Sequence, residues 1–249
     1  MRRFGLIGYP LGHSFSRKYF TGKFLSEQID DCSYDNYPLE SLDGFYDLLR
    51  TIPDLAGLNV TIPYKSEIIR FLDTIDPEAE EIGAVNVLKI KRIKDKIEIA
   101  GFNSDVTGIR ESIDPWLAEI NQAMVLGTGG SSKAVCYVLG KYGFPFSRIS
   151  RTGKEGTLGY QDITAELMEK TELIVNTTPL GMFPDTESWP DIDYDLLDKK
   201  HILFDLVYNP EITSFLKMGQ ERGCRIISGI RMLHSQAERS WEIWNSGQF

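Results

Sequence analysis

Three polar side chains with complementary chemistry are close together in the stretch "LNVTIPYK", which carries Asn59, Thr61 and Lys65. The apolar residues between them recur with the period of two that is typical of a half-buried strand, and a proline ends the strand. An amide, a hydroxyl and an ammonium group on one side of a strand end could hold a polar substrate and exchange a proton with it.

Lys65 and Asp105 are the candidates for proton transfer. Lys65 comes directly before "SEIIRFL", which reads as a helix, so the helix dipole would disfavour its positive charge. Asp105, in "GFNSDVTG", is placed where a helix begins after a strand. If the two side chains meet, they form a coupled acid–base pair that can share a proton with a substrate hydroxyl. The alternatives are that Asp105 only caps its helix and that Lys65 is an ordinary exposed helix lysine.

A glycine-rich turn, "GTGGSS", follows a buried strand and opens a helix, which is the context of a dinucleotide-binding loop. In that role Gly127 would permit the tight turn, and Gly129 would let the backbone approach a pyrophosphate. Amide groups at the start of the helix would then face the phosphates. Ser132 occupies the place of the third glycine or alanine, so the match is imperfect, and a purely structural strand–helix turn stays open.

The strand after this loop distinguishes the two nicotinamide cofactors. An NAD site places an acidic residue at the end of that strand, roughly 20 residues past the loop, to hold the ribose 2′-hydroxyl. Here the strand ends with Ser150, Arg151, Thr152 and Lys154, and no acid. Two cations and two hydroxyls suit a 2′-phosphate, so NADP is favoured over NAD. The alternative is a solvated strand end with incidental charge.

Composition excludes several classes of protein. The 249-residue chain has a net charge of −9, which argues against a nucleic-acid binder. Cys32, Cys136 and Cys224 form no CxxC motif and the histidines have no metal-ligand spacing, so we expect a reduced, cytosolic chain without a metal site. Apolar runs are too short for a signal-peptide core or for the ~18 residues of a membrane span.

The elements that must position the polar residues change in character near residues 105–120. In the first part, "VNVLKIKRIKDKIEIAGF" reads as two alternating strands around a charged turn, which predicts an antiparallel pair. The second part alternates apolar strands with helices, as in a parallel, doubly wound sheet. We therefore expect an α/β fold with two domains. These are an N-terminal α/β substrate domain with a mixed sheet (1–105 plus 231–249) and a Rossmann-type, doubly wound NADP-binding domain (106–230).

The order of the motifs resembles shikimate dehydrogenase over essentially the whole chain. The matching segments are "GYPLGHSFS", "LNVTIPYK", "GAVN", "GFNSDVTG", "GTGGSSKA", "SRT", "NTTPLGM", "DLVYNP" and "GIRMLHSQA". The resemblance implies an NADP-dependent oxidoreductase that interconverts 3-dehydroshikimate and shikimate in the shikimate pathway of aromatic amino-acid (chorismate) biosynthesis. It also implies a cytoplasmic monomer or homodimer with a small-molecule substrate and with no nucleic-acid or membrane partner.

The same resemblance implies three groups of site residues. The catalytic pair, Lys65 and Asp105, works at the reacting oxygen. The substrate-binding residues are the serines that hold the carboxylate, the amides that hold ring hydroxyls, and two further side chains: Ser14, Ser16, Asn59, Thr61, Asn86, Tyr208 and Gln236. The cofactor-binding residues are Gly127, Thr128, Gly129, Gly130, Ser131, Ser150, Arg151, Thr152, Lys154, Asn176, Thr177, Val207 and Gly229. No metal ligand is implied.

Arg17 and Ser150 depart from the family pattern. Arg17 stands where a proline usually follows the serines, and Ser150 replaces the asparagine of the usual "NRT". Two other functions remain as alternatives. A quinate/shikimate dehydrogenase that uses NAD would be expected to carry an acid just after Arg151, where this chain has Thr152. A non-catalytic NADP-binding sensor would have lost the lysine or the aspartate of the catalytic pair, and both are present.

Overall fold

A computed structural model of the protein describes residues 1–11, 15–94, 96–154 and 156–247. The chain divides into two compact units, Met1–Ser104 with Ala237–Phe249, and Asp105–Gln236. The division falls between Ser104 and Asp105 and again inside the last helix. The described residues form eight α-helices: α1 (Phe15–Ser26), α2 (Phe45–Thr51), α3 (Pro77–Ile82), α4 (Asp105–Ile113), α5 (Gly130–Tyr142), α6 (Ala165–Lys170), α7 (Ser214–Glu221) and α8 (Gly229–Asn245).

The first unit is built on a mixed sheet of six strands. They are β1 (Arg2–Gly8), β2 (Cys32–Pro38), β3 (Leu55–Val60), β4 (Thr74–Ile75), β5 (Val87–Ile93) and β6 (Lys96–Phe102). Their order in the sheet is β2-β1-β3-β5-β6-β4. β1 pairs in parallel with β2 and β3, whereas β5 is antiparallel to both β3 and β6. The predicted antiparallel pair is therefore present, and the mixed sheet follows from it.

The second unit contains a six-stranded sheet of short strands. They are β7 (Ala123–Leu126), β8 (Phe146–Ser150), β9 (Leu158–Gly159), β10 (Leu173–Asn176), β11 (Ile202–Asp205) and β12 (Arg225–Ile227). Their order is β12-β11-β10-β7-β8-β9, and every pair is parallel. β7, β10 and β11 are buried along their whole length, which explains their continuous apolar sequences. The expected parallel, doubly wound sheet is confirmed.

The last part of α8 is anchored to the sheet of the first unit by an aromatic cluster. Trp244 stacks on Phe4 with ring centroids 4.6 Å apart, and its indole nitrogen donates to the Leu88 carbonyl at 3.0 Å. A Cβ atom at Gly57 would lie 2.3 Å from that indole nitrogen, so only glycine allows this approach. Lys89, also buried, donates to the Ile243 carbonyl at 2.9 Å and so caps the end of α8.

One local expectation is wrong. The segment after Lys65 forms a five-residue 3₁₀ helix, Glu67–Phe71, and no α-helix, because the chain turns at Leu72 into β4. β3 also ends at Val60, earlier than the alternation suggested. Ile62 lies beyond the strand and is 56% exposed, outside the core. Lys65 therefore belongs to a turn between a strand and a short 3₁₀ helix.

Candidate active site

The turn that carries Thr61 and Lys65 is held by backbone hydrogen bonds at both ends. The Thr61 amide donates to the Ile7 carbonyl at 2.9 Å, and the Lys65 carbonyl accepts from the Val85 amide at 2.7 Å. Between them Tyr64 is buried, and its hydroxyl bonds a backbone carbonyl 2.6 Å away. The half-buried Lys65 side chain therefore leaves the backbone from a fixed point.

Asn59 lies inside the first unit and not on an open strand face. Its side chain is only 6% exposed. The amide nitrogen donates to the Ser240 hydroxyl at 2.9 Å and to the Asn86 carbonyl at 3.3 Å, while the amide oxygen accepts from the Tyr34 hydroxyl at 2.8 Å. The structure thus gives both polar atoms of this predicted substrate ligand protein partners and leaves the amide oxygen one further acceptor position.

Asn86 organises the backbone that leads into α4. Its side-chain oxygen accepts from the Ser104 amide at 2.7 Å, and its side-chain nitrogen donates to the Ser104 hydroxyl at 3.0 Å. Ser104 directly precedes Asp105, the first residue of α4, which is 3% exposed. A predicted substrate-binding amide therefore fixes the backbone at Ser104, the residue directly before the predicted catalytic acid.

The remaining substrate-binding candidates that the structure describes lie at the start of α1, in the loop after β11 and within α8. Ser14 falls outside the described residues, and Ser16 is the half-buried second residue of α1. Arg17, the departure from the family pattern, forms an ion pair with Asp35 at 3.4 Å in the first turn of the same helix. Gln236 is half-buried on α8. Tyr208 is half-buried as well, and this burial raises the pKa of its hydroxyl.

The glycine-rich loop has the geometry that its sequence predicts. Gly127 has a φ of +113°, and a Cβ atom there would lie 2.5 Å from the Thr177 hydroxyl oxygen. Gly129 is the N-cap of α5, which begins at Gly130, so the amides of the first helical turn follow the loop. Ser132 is buried and donates to the Gly127 carbonyl at 2.7 Å. Ser132, in the place of the third glycine, therefore stabilises the loop. The same segment carries two further hydroxyls, those of the exposed Thr128 and the half-buried Ser131.

The turn after β8 presents two cations to solvent. Ser150 shapes this turn, since its hydroxyl bonds the Thr157 hydroxyl at 2.7 Å and accepts from the Gly153 amide at 3.0 Å. Arg151, Thr152 and Lys154 are exposed. Within the described ranges, neither cation has an ion pair with an acidic side chain. The turn can therefore receive an anion from outside the protein.

A residue that the sequence reasoning missed, Asp205, holds the loops at the carboxyl ends of the central strands. It is fully buried at the end of β11. One carboxylate oxygen accepts from the Asn176 side-chain nitrogen at 3.0 Å and from the Val207 amide at 2.9 Å, and the other accepts from the Thr213 hydroxyl at 2.5 Å. Burial raises the pKa of Asp205 to about 7, against the opposing effect of these three hydrogen bonds. The sequence signal that could have identified Asp205 is an acidic residue directly after the apolar run "ILF".

The other cofactor-binding candidates lie at the same edge of the parallel sheet. Thr177 bonds the Leu126 carbonyl through both its amide, at 2.9 Å, and its hydroxyl, at 2.6 Å. Gly229 begins α8, and a Cβ atom there would lie 2.5 Å from the Leu206 carbonyl oxygen. Val207 is buried between these segments. The structure therefore gathers Gly127, Asn176 and these residues where doubly wound sheets bind nucleotides.

The described part of the chain offers neither a metal centre nor a membrane span. It contains no group of three or more His, Cys, Asp and Glu side chains that could hold a metal ion. No helix among the same residues has both the length and the apolar composition needed to cross a bilayer.

The chain is similar to known proteins over almost its whole length. The family profile described as "Shikimate dehydrogenase substrate binding domain" matches residues 6–88. A shikimate dehydrogenase (NADP(+)) of Methanococcus aeolicus is 36% identical, over 96% of this chain and 90% of the relative. The enzyme of the same name from Shouchella clausii is 35% identical, over 98% of this chain and 92% of the relative.

A solved structure has the same fold. The crystal structure of shikimate 5-dehydrogenase from Thermus thermophilus, in complex with NADP(H) and shikimate, superposes with a TM-score of 0.85. The match covers 98% of this chain and 94% of the Thermus chain at 27% sequence identity.

Proposed function

The chain belongs to the shikimate dehydrogenase family, and we propose that it is an NADP-dependent enzyme that interconverts 3-dehydroshikimate and shikimate. One observation carries the proposal: the same chain has a fixed turn that presents Lys65 and a second turn whose cations, Arg151 and Lys154, have no ion-pair partner among the described residues. The first suits proton exchange with an alcohol, and the second suits a phosphate-bearing cofactor.

The residues of the second unit fit NADP. Gly127 leaves space where a side chain would collide with Thr177, so the backbone of the loop can approach a pyrophosphate. Amides at the start of a helix such as α5 attract phosphate oxygens. Arg151 and Lys154 would hold the 2′-phosphate, and Ser150 keeps their turn in shape. When bound, the nicotinamide ring accepts the hydride that leaves the substrate carbon.

Proton transfer is assigned to Lys65 and Asp105. Oxidation of the alcohol requires loss of the hydroxyl proton as well as the hydride, and the ammonium–amine couple of Lys65 can take and return that proton. Asp105 would orient the lysine. The substrate would be held by side chains from several elements: Ser14, Ser16, Asn59, Thr61, Asn86, Tyr208 and Gln236.

The proposal extends to the biological setting. The substrate domain would comprise residues 1–105 plus 231–249, and the NADP-binding domain residues 106–230. The enzyme would act in the cytoplasm, as a monomer or homodimer, in aromatic amino-acid biosynthesis. The spacing of Cys32, Cys136 and Cys224, all of which are free thiols, is in keeping with a reducing compartment.

An assay of the purified protein tests the proposal. Shikimate and quinate are each offered with NADP and with NAD, and the absorbance of the reduced cofactor is followed. We expect shikimate with NADP to have the highest kcat/KM, because Arg151 and Lys154 can bind the 2′-phosphate, which NAD does not have. A preference for NAD or for quinate would favour the quinate/shikimate alternative. Binding of NADP without turnover of either acid would favour the sensor.

A further inference from the structure

Five buried side chains of the first unit form one continuous hydrogen-bonded chain, which we call the buried polar chain: Tyr34, Asn59, Ser240, Ser104 and Asn86. Its successive links measure 2.8 Å, 2.9 Å, 3.2 Å and 3.0 Å. All five residues are at most 6% exposed. A chain of this kind restrains each member strongly, because an amide that loses its partner in a buried site stays unsatisfied.

Ser240 is the middle member and comes from α8, whereas Asn59 and Ser104, its neighbours in the buried polar chain, come from elsewhere in the first unit. Its hydroxyl oxygen accepts from the Asn59 side-chain nitrogen at 2.9 Å and lies 3.2 Å from the Ser104 hydroxyl oxygen. The side chain has no exposed surface, so water cannot replace it. One hydroxyl thus connects the Asn59 amide to the Ser104–Asn86 pair.

The Ser240 hydroxyl is itself held in place by the anchoring of α8. One turn further along the helix, the Trp244 indole donates to the Leu88 carbonyl, and Lys89 caps the helix end at Ile243. Both anchors belong to the sheet of the first unit. Because α8 and the sheet are fixed to each other, the Ser240 hydroxyl has a fixed position and can restrain the more mobile asparagine side chains.

We propose that Ser240 is a positioning residue for substrate binding, whose hydroxyl orients the Asn59 amide and, through Ser104, the Asn86 amide. This inference rests on the proposed function, which makes both amides ligands of the substrate hydroxyls. An asparagine can present either its nitrogen or its oxygen to a ligand. With Ser240 and the Asn86 carbonyl as its acceptors, the Asn59 nitrogen is committed to the protein. Its oxygen, which accepts from Tyr34, keeps one acceptor position for a substrate hydroxyl.

Removal of the hydroxyl should loosen both amides without disturbing the helix. In Ser240→Ala, the Asn59 nitrogen retains only its 3.3 Å contact with the Asn86 carbonyl, and Ser104 loses a partner. Alanine is a better helix former than serine, so α8 itself should persist. Ser112→Ala is the matched control, since Ser112 is also buried in a helix but donates only to the Gly108 carbonyl, four residues earlier, at 2.7 Å.

Steady-state kinetics test the inference. Ser240→Ala should raise the KM for shikimate roughly tenfold, the effect of one ordinary hydrogen bond, while kcat and the KM for NADP change less than about threefold. Ser112→Ala should leave all three constants near the wild-type values. A purely structural role would lower the amount of active enzyme and leave the KM for shikimate unchanged, so that result would overturn the proposal.

A second measurement keeps the inference separate from the proposed function. In ¹⁵N NMR spectra of the full chain, the side-chain amide signals of Asn59 and Asn86 should shift in Ser240→Ala and exchange with solvent at least tenfold faster, but not in Ser112→Ala. Tyr34→Phe, which retains the ring stacked on Phe20, should shift Asn59 alone. If wild-type protein does not oxidise shikimate, the proposed function is wrong, and these amide signals alone decide whether Ser240 orients the asparagines. Unchanged amide signals of Asn59 and Asn86 in Ser240→Ala would refute the positioning role of Ser240.

Discussion

Asn176 and Asp205 are direct neighbours across the parallel strands β10 and β11, and their side chains are hydrogen-bonded at 3.0 Å. The same carboxylate accepts from the Val207 amide and the Thr213 hydroxyl. One buried acid therefore ties together two strand ends and the start of α7, at the edge of the sheet where we expect the cofactor. Its ionisation must affect the second unit as a whole.

The stability of the protein should depend on pH through Asp205. Its pKa is about 7 in the folded state, above the ordinary value near 3.9 of an unfolded chain, so the folded state binds the proton more tightly. The resulting stabilisation is complete below about pH 4 and is lost as the pH rises towards 7, by up to about 4 kcal/mol. Asp205→Asn cannot ionise and should lack this dependence.

Urea unfolding at pH 5 and at pH 8, followed by one spectroscopic probe, measures the effect. The wild type should lose stability relative to Asp205→Asn between the two pH values. A difference that stays constant would mean that Asp205 ionises alike in the folded and unfolded states.

Lys65→Ala should reduce kcat by at least the ~10² expected when an acid–base group is lost. The KM for shikimate should change much less, because Ser16, Asn86 and Gln236 remain. The exposed Lys199→Ala serves as a control for the general loss of a lysine and should retain wild-type kinetics. A Lys65→Ala enzyme with normal kcat and a raised KM would make Lys65 a binding residue only.

Asp105→Asn should reduce kcat while barely changing the melting temperature, because asparagine has the same shape and a helix propensity close to that of aspartate. If Lys65 and Asp105 act as a unit, the double variant should be little slower than the slower single variant. Losses that multiply would show two independent roles. A lowered melting temperature with a normal kcat would show that Asp105 has only a structural role at the start of α4.

Arg151→Ala should raise the KM for NADP ten- to a hundredfold, the effect of one charge-assisted contact of about 1.5–3 kcal/mol. Lys154 should matter less, since it is further along the turn. The weaker reaction with NAD is the internal control and should stay nearly unchanged, because NAD has no 2′-phosphate. Equal losses with both cofactors would show that Arg151 supports the turn and does not bind the phosphate.

Gly127→Ala should destabilise the second unit by about 1–3 kcal/mol, because alanine is strained at a φ of +113° and its Cβ would lie 2.5 Å from the Thr177 hydroxyl oxygen. Affinity for NADP should fall as well. Gly140→Ala is the control: it lies within α5 with no atom within 4 Å of its added Cβ, and it should stabilise the helix slightly. Thermal melting of both variants, with and without NADP, provides the comparison.

Local sequence signals predicted most of the elements and the strained loop. The continuous apolar runs of β7, β10 and β11 indicated a buried parallel sheet, and the glycine-rich turn indicated a backbone that only glycine allows at Gly127. These predictions succeeded because strand period and backbone sterics depend on neighbouring residues. The sequence indicated a helix after Lys65, and the structure has only a short 3₁₀ helix there, Glu67–Phe71. Its length depends on where β4 begins, and β4 pairs with the distant strand β6.

The surroundings of individual polar groups were decided by the tertiary structure. Asn59 reads as half of an open polar face, but Ser240, 181 residues away in sequence, occupies its side-chain nitrogen. Asp205 reads as the last residue of a strand, but in the fold it is buried and accepts hydrogen bonds from Thr213 and from Asn176, the latter 29 residues earlier. Burial raises its pKa, against the opposing effect of these hydrogen bonds. Amino-acid types determine which chemistry a side chain can perform. Its partners, its desolvation and hence its role depend on contacts that form only when distant segments fold together.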